Sequence, residues 1–311
     1  MQERMMKIAV IGECMVELSS QNGGISQDFG GDTLNTAVYL SRLLEPEQVT
    51  ISYVTGLGTD PFSQAMIKFW QSEGLDTSKV LVSDSHLPGM YYIETDAKGE
   101  RTFHYWRGES AARYWLKTAE GEAIARSLSD YDVIYLSGIT LAILDPESRE
   151  KLFSVLGKCR RSGGKICFDN NYRPRLWPSS HQAQTAYTQM LSLTDIAFLT
   201  FDDEIALWGT SSLNELEKRC LQAGVSEVVI KRGSESCLIT KGKISTEVPA
   251  LKIATEDIVD TTAAGDSFSA GYLAQRLIGS NSERSAKKGH QLAGTVIRHR
   301  GAIIPRSAMP V

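Results

Sequence analysis

Toward the C-terminal end of the chain, Asp260-Thr261-Thr262-Ala263-Ala264-Gly265-Asp266-Ser267-Phe268 sets a run of small residues and an acid directly before an amphipathic stretch, residues 268–277. Small side chains leave backbone N–H groups open to whatever docks there, and a helix N-terminus carries about half a positive charge that favours anions. A phosphate suits such a place. Asp266, in the first helical turn, is expected to stay ionised because that partial charge depresses a carboxylate pKa, and so to accept a proton from a substrate hydroxyl. An ordinary capped helix with Asp in its first turn gives the same local string.

Two further motifs carry polar groups suited to a small ligand. Phe29-Gly30-Gly31-Asp32-Thr33-Leu34-Asn35 joins a Gly pair to a helix start. The glycines allow close approach, and Asp32 and Asn35, three apart on a first turn, share a face and offer acceptors and a donor to polyol hydroxyls. Gly pairs also make plain turns, and Asp is a common N-cap. Asp169-Asn170-Asn171-Tyr172-Arg173-Pro174 follows an apolar run. Pro174 holds Arg173 extended and so fixes where its guanidinium points. That planar fork could grip a carboxylate or a phosphate, and Asn171 a phosphate or a polyol, although a solvated loop arginine would read the same. Arg107 offers a second cation.

Those residues must be positioned by something. In 311 residues with 42% apolar content there is enough material for one large α/β core or two smaller ones, and one main domain with an insertion is expected. Short β-branched runs at 7–13, 50–55, 132–137, 165–169, 196–201 and 227–231 alternate with helical spacing at 33–44, 61–73, 146–161, 212–223 and 267–277. This alternation predicts crossover units and a mostly parallel sheet, with ligands beyond the strand C-termini. One region departs from it. Residues 89–95 and 101–106 are strand-like and aromatic around a turn signal at 96–99, and predict a hairpin. With extended segments near 14–29 it would form a small separate sheet, whose aromatic face needs cover from substrate or a partner subunit.

Composition narrows the class of partner. A net charge of −4, from 33 basic and 37 acidic residues that are interspersed, argues against nucleic-acid or membrane binding and favours small soluble partners. The apolar stretch 7–16 is flanked or interrupted by Glu3, Glu13 and Glu17, and reads as a first strand instead of a signal peptide. Five cysteines without CxxC spacing fit reduced thiols in a cytoplasmic protein, and five histidines without ligand spacing predict no structural transition metal.

The string DTTAAGDSF resembles the C-terminal signature of the ribokinase-like (PfkB) family of carbohydrate kinases, Asp-Thr-x-Gly-Ala-Gly-Asp, with Ala263 in place of the first glycine. An alanine is tolerated there if its φ stays negative. The segment GGDTLN resembles the family's N-terminal sugar-binding signature. The resemblance implies a ribokinase-like α/β fold of one domain over 1–311, with a β lid from about 14–30 and 88–107. It further implies Asp266 as base, with the backbone N–H groups of Ala263, Ala264 and Gly265 as an anion hole. Lys231, Gly233 and Ser234, in a turn similar to the family's nucleotide loop, would line the nucleotide together with Asn171 and Gly265. At the family's Asn-x-x-Glu segment only Glu204 matches, since Phe201 stands where Asn is usual. Magnesium would therefore be bound mostly through nucleotide and water.

Within the family, GGDTLN, the hairpin ending Tyr105-Trp106-Arg107, FDNNYRPRLW and DTTAAGDSF look most like kinases of 2-keto-3-deoxygluconate. This implies ATP and an acid sugar as substrates. Gly30, Gly31, Asp32, Asn35, Tyr91, Tyr105, Arg107 and Arg173 would hold the sugar, and a homo-oligomer is expected. A kinase of a neutral sugar or nucleoside is the nearest alternative. A non-catalytic sugar sensor, or a redox role for Cys167 or Cys237, lies further off.

Overall fold

The computed structural model describes residues 4–21, 24–95, 101–209 and 212–310. The turn expected at 96–99 lies outside them. In chain order the first half comprises β1 (Met6–Ile11), β2 (Met15–Gln21), β3 (Gly24–Gly30), α1 (Asp32–Leu43), β4 (Val49–Leu57), α2 (Pro61–Ser72), β5 (Val80–Val82), β6 (Gly89–Thr95), β7 (Arg101–Trp106), α3 (Ala119–Ser127), β8 (Val133–Ser137), α4 (Gly138–Ile143) and α5 (Pro146–Arg161). The second half comprises β9 (Lys165–Asp169), α6 (Ser180–Leu193), β10 (Ile196–Thr200), α7 (Phe201–Trp208), α8 (Leu213–Ala223), β11 (Glu227–Lys231), β12 (Cys237–Lys241), β13 (Ile244–Val248), α9 (Ala264–Leu277) and α10 (Ser282–Val296).

The main sheet runs β13-β12-β11-β10-β9-β8-β1-β4-β5, parallel from β5 to β11 and antiparallel at β12 and β13. Its central strands are apolar on both faces because helices cover both. Ile8 and Val10 pack with Leu34 and Val38 of α1, Trp70 of α2, Tyr272 of α9 and Leu292 of α10. Ala9 and Ile11 face the other way, into a core with Leu141 of α4, Leu152 of α5, Tyr187 of α6 and Leu216 of α8. Such two-sided burial is what parallel strands require.

Helix boundaries follow local chemistry. Asp60 caps α2 by accepting from the N–H groups of Phe62 and Ser63, and Asp145 caps α5 by accepting from that of Ser148, each followed by a proline in the first turn. Helices α4 and α6 are absent from the sequence-based expectation. All but one residue of the six in α4 are buried, so it shows no amphipathic period. Helices α3, α7 and α10 are absent from it as well; within α10, the missing side chain of Gly289 makes room for the Phe268 ring of α9. The strand expected at 196–201 ends at Thr200, with Phe201 opening α7. The one expected at 7–13 ends at Ile11, where the chain leaves the main sheet.

The second sheet has the order β3-β2-β6-β7. Its hairpins β2–β3 and β6–β7 are each antiparallel and are joined by a parallel pairing of β2 with β6. The hairpin strands coincide with the expected 89–95 and 101–106. Gly30 ends β3, and Gly31 leads directly into α1, so the small sheet delivers Asp32 and Asn35 to the main one.

Candidate active site

A cleft of about 1320 Å³ opens where the small sheet meets the C-terminal ends of the parallel strands. Single-ligand pockets run to about 1,000 Å³, so two substrates have room here. Asp169 ends β9, Thr200 ends β10 and Lys231 ends β11, and all three line the cleft together with α1, α9 and β7. The motifs singled out in the sequence converge there because parallel connectivity sends every strand C-terminus to one edge.

The floor is built around α9. Its helix begins at Ala264, three residues before the expected start, which puts Asp266 in the first turn. Asn35 Nδ2 donates to Asp266 Oδ2 at 2.9 Å and thereby orients the carboxylate, while Asn35 Oδ1 is buried with no protein partner among the described residues. Asn171 Nδ2 donates to Asp32 Oδ2 at 2.6 Å, which ties the Asn171 expected at the nucleotide to the Asp32 expected at the sugar. Beneath the turn, Lys231 Nζ donates to Asp169 Oδ2 at 2.7 Å, and that oxygen also accepts from Ser269 Oγ at 2.9 Å. A Cβ on Gly265 would sit 3.4 Å from Lys231 Nζ, so the ammonium lies directly under the helix start.

Three expectations need correction on this floor. Ala263 does not keep a negative φ: it adopts φ 60°, in the left-handed region, and with Asn171 (φ 25°) is one of two non-glycine residues at positive φ among those described. Both line the cleft, where strained backbone tends to collect. The Ala264 N–H is not free for an anion, because it bonds the Thr261 carbonyl at 3.2 Å and closes that turn. Nor is Asp266 kept readily ionised by the helix. Burial first, then the negative charge of Asp32, push its pKa up to about 7, against the opposing hydrogen bond from Asn35 and the charge of Lys231.

The walls differ from expectation in another respect: their charges are already paired. Arg107 is bound to the buried Glu13, so it is not a free cation. Tyr91 donates its hydroxyl to Glu17, in space that Gly30 leaves open, whereas Tyr105 is exposed to the cleft. Gly31 permits a close approach, since a Cβ there would overlap the Glu13 carbonyl oxygen. Arg173 is extended, with φ −126° and ψ 97°, as Pro174 requires. Its Nη1 donates to the Tyr172 carbonyl at 2.8 Å and lies 3.5 Å from Asp203, with half the side chain open.

Gly233 (φ 60°) lines the cleft after β11, while Ser234 is exposed and is not among the lining residues. Glu204 is buried, accepting from Asn170 Nδ2 at 3.0 Å and Arg219 Nη2 at 2.6 Å, and does not line the cleft. Sequence reasoning passed over Asp169, Asp260 and Arg101. An acid closing a buried strand was the available signal for Asp169, but Arg101 and Asp260 partner each other across 159 residues and left none.

The donor set fits a triphosphate, with a helix N-terminus, Lys231 and a glycine turn in one cleft. Among the described residues no group of three or more His, Cys, Asp or Glu side chains could hold a metal ion. All five cysteines are buried and free, and burial pushes the Cys237 thiol up to about 12 and that of Cys167 higher still, so neither supplies a thiolate. Among the described residues no helix is long and apolar enough to cross a membrane.

The chain matches the model of the pfkB family of carbohydrate kinases over residues 5–309. It is 57% identical to a 2-dehydro-3-deoxygluconokinase of Escherichia coli K12 over 305 residues, 98% of this chain and 99% of that one. A 2-dehydro-3-deoxygluconokinase of Haemophilus influenzae is 43% identical over 98% of each. Among solved structures, an E. coli protein described as a putative ribokinase II in complex with ATP and Mg²⁺ superposes with a TM-score of 0.83 at 21% identity, over 96% of this chain and 94% of that one, and shows the shared ribokinase-like fold. With its acid-bearing helix start at the edge of a parallel sheet, this chain belongs to the pfkB family of carbohydrate kinases.

Proposed function

We propose that this protein transfers the γ-phosphoryl group of ATP to the terminal hydroxyl of 2-keto-3-deoxygluconate, the sugar also called 2-dehydro-3-deoxygluconate, giving 2-keto-3-deoxy-6-phosphogluconate. The observation that carries the reading is Asp266, set by Asn35 in the first turn of α9 within a cleft that also holds Arg107 and Arg173. Identity of 57% to a kinase of that name supports the substrate.

In this reading Gly30, Gly31, Asp32 and Asn35 receive the polyol, and Arg173 and Arg107, with Tyr91 and Tyr105, receive the carboxylate. Arg107 must share its charge between Glu13 and the substrate. The acceptor hydroxyl gives its proton to Asp266, whose elevated pKa makes it a competent base near neutral pH. In-line transfer spreads negative charge over the equatorial oxygens of the phosphoryl group. With Ala264 committed to Thr261, the N–H groups of Ala263 and Gly265 and the ammonium of Lys231 meet that charge. Gly233 and the exposed Ser234 would border the rest of the nucleotide. Magnesium, when bound, neutralises the triphosphate, and its ligands would be nucleotide oxygens and water, with Asp169 and Asp266 available to hold that water.

The reading makes the small sheet a lid of one ribokinase-like domain, and the enzyme cytoplasmic. It also includes a homo-oligomer, because Trp106 of β7 is 61% exposed, on the face opposite Tyr105 and the cleft, and such a face is usually covered. Sedimentation of the purified chain as a dimer or larger tests that part. The activity is tested by ADP release with Mg-ATP across 2-keto-3-deoxygluconate, gluconate, fructose, ribose and adenosine. Activity confined to the keto-deoxy acid is expected. Activity on a neutral sugar instead would discard the carboxylate role of Arg173, and silence on all five would discard the kinase.

A further inference from the structure

Arg101 is the first residue of β7 and pairs with Thr95, at the end of the hairpin farthest from its root at Trp106. Its guanidinium nevertheless reaches across to the large domain. Nη1 lies 3.1 Å from both carboxylate oxygens of Asp260, and Nη2 lies 3.1 Å from Oδ2. Asp260 is nearly sealed, with 6% of its side chain exposed against 37% for Arg101. A two-pronged, charge-assisted contact of this kind fixes orientation as well as distance.

What Asp260 does with its remaining lone pairs gives the contact its meaning. Oδ1 accepts from the Thr262 N–H at 3.0 Å and from Thr262 Oγ1 at 2.7 Å, and Oδ2 accepts from the Gly301 N–H at 3.1 Å. One carboxylate therefore ties the start of β7 to the turn that carries Ala263 at φ 60° into the start of α9. The direction of the N–H groups at that start depends on how the turn is held.

We propose that Arg101 is a positioning residue, a latch by which closure of the small sheet over the acceptor sugar sets the Thr261-Thr262-Ala263 turn and so couples sugar binding to phosphate binding. The inference rests on the kinase reading above. Arg101 lines the cleft beside Thr102, Phe103 and Tyr105, so a sugar seated against this strand holds Arg101 on Asp260. The turn is then ordered before the triphosphate arrives. Binding that pre-orders a second site appears as positive coupling, typically about 5-fold or more in affinity.

The test is titration of a non-hydrolysable ATP analogue with magnesium into the full chain, with and without saturating 2-keto-3-deoxygluconate, in the wild type, Arg101→Met and Arg101→Lys. In the wild type the sugar is expected to tighten the analogue by roughly 5-fold or more. In Arg101→Met this gain disappears while affinity for the analogue alone stays unchanged, and kcat falls by about 10- to 100-fold. Arg101→Lys restores part of both. Four results overturn the latch: no synergy in the wild type, synergy and kcat retained in Arg101→Met, equal weakening of the analogue with and without sugar, which would make Arg101 a nucleotide ligand, or a melting temperature of Arg101→Met far below that of the wild type, which would make the pair purely structural. Failure of the kinase reading is distinguishable, because the wild type would then not release ADP with the keto-deoxy acid. The titration is in that case read with whichever sugar it does phosphorylate.

Discussion

Strand β9 is buried from Ile166 to Asp169, whereas every residue of β7 is exposed, yet both line the same cleft. The difference sets what each can do. Asp169 and Lys231 of the main sheet and Ser269 of α9 hold one another among packed neighbours, so the charge under α9 is fixed before any substrate arrives. The small sheet has little core of its own. Its polar groups are held through ion pairs and hydrogen bonds: Arg101 to Asp260, which a bound sugar would keep closed, and Arg107 to Glu13 and Tyr91 to Glu17, which a ligand can share or displace. In the proposed reading, the chemistry falls to the rigid side, and the exposed side contributes to recognition.

The comparison breaks most directly at Asp266. Asp266→Asn should lower kcat by about two to four orders of magnitude with little change in substrate affinity, as measured by steady-state ADP release. Near-normal turnover would remove the base from the rigid side. In the loop after β9, where the main sheet takes part in recognition, Arg173→Leu should weaken binding of the keto-deoxy acid by roughly 10- to 100-fold, the worth of a hydrogen bond to a charged group, and leave kcat nearly intact. A KM that does not move would put the carboxylate elsewhere.

Smaller effects sharpen the contrast. With the pKa of Asp266 pushed up to about 7, kcat/KM for the sugar should rise with pH and level off above that value, losing about tenfold per unit below it. In Asp266→Asn this limb should vanish. Stability runs the opposite way. A carboxyl whose folded pKa is raised contributes stability that is full below its unfolded pKa, near 4, and is lost as pH rises through the folded value. Asp266→Asn should therefore melt roughly 2 °C or more above the wild type at pH 8, and no higher than it at pH 4. The smallest effect is expected on the exposed strand. Trp106→Ala should change monomer stability by about 0.5 kcal/mol or less in urea unfolding, against about 3–5 kcal/mol for Trp70→Ala in the core beneath α1 and α2.

Legibility followed the range of the interactions. Strands β9 and β11, helix α5 and both hairpin strands carry their signal within a dozen residues, as β-branched runs, an Asp-Pro cap and aromatic alternation around a turn. Helices α4 and α10 do not: one is buried on nearly all sides, and the other has a glycine where Phe268 packs. Among site residues, Asp266, Asn35 and Arg173 stood out by type and neighbourhood. Arg101 did not, since nothing near it in sequence indicates Asp260.

The sequence by itself determined which residues could carry a phosphoryl transfer and which strand ends would bring them to one edge, because propensity, capping and alternation are local. Only the tertiary structure decided their state. The helix start alone argues for an ionised Asp266, but its burial beside Asp32 raises the pKa. The small residues alone argue for three open N–H groups, but the Thr261 carbonyl takes one of them. Arg107 alone reads as a free cation, but Glu13 lies against it. Each reversal has one physical reason: the energy of a charge or a donor is set by what packs around it, and those neighbours come from distant parts of the chain.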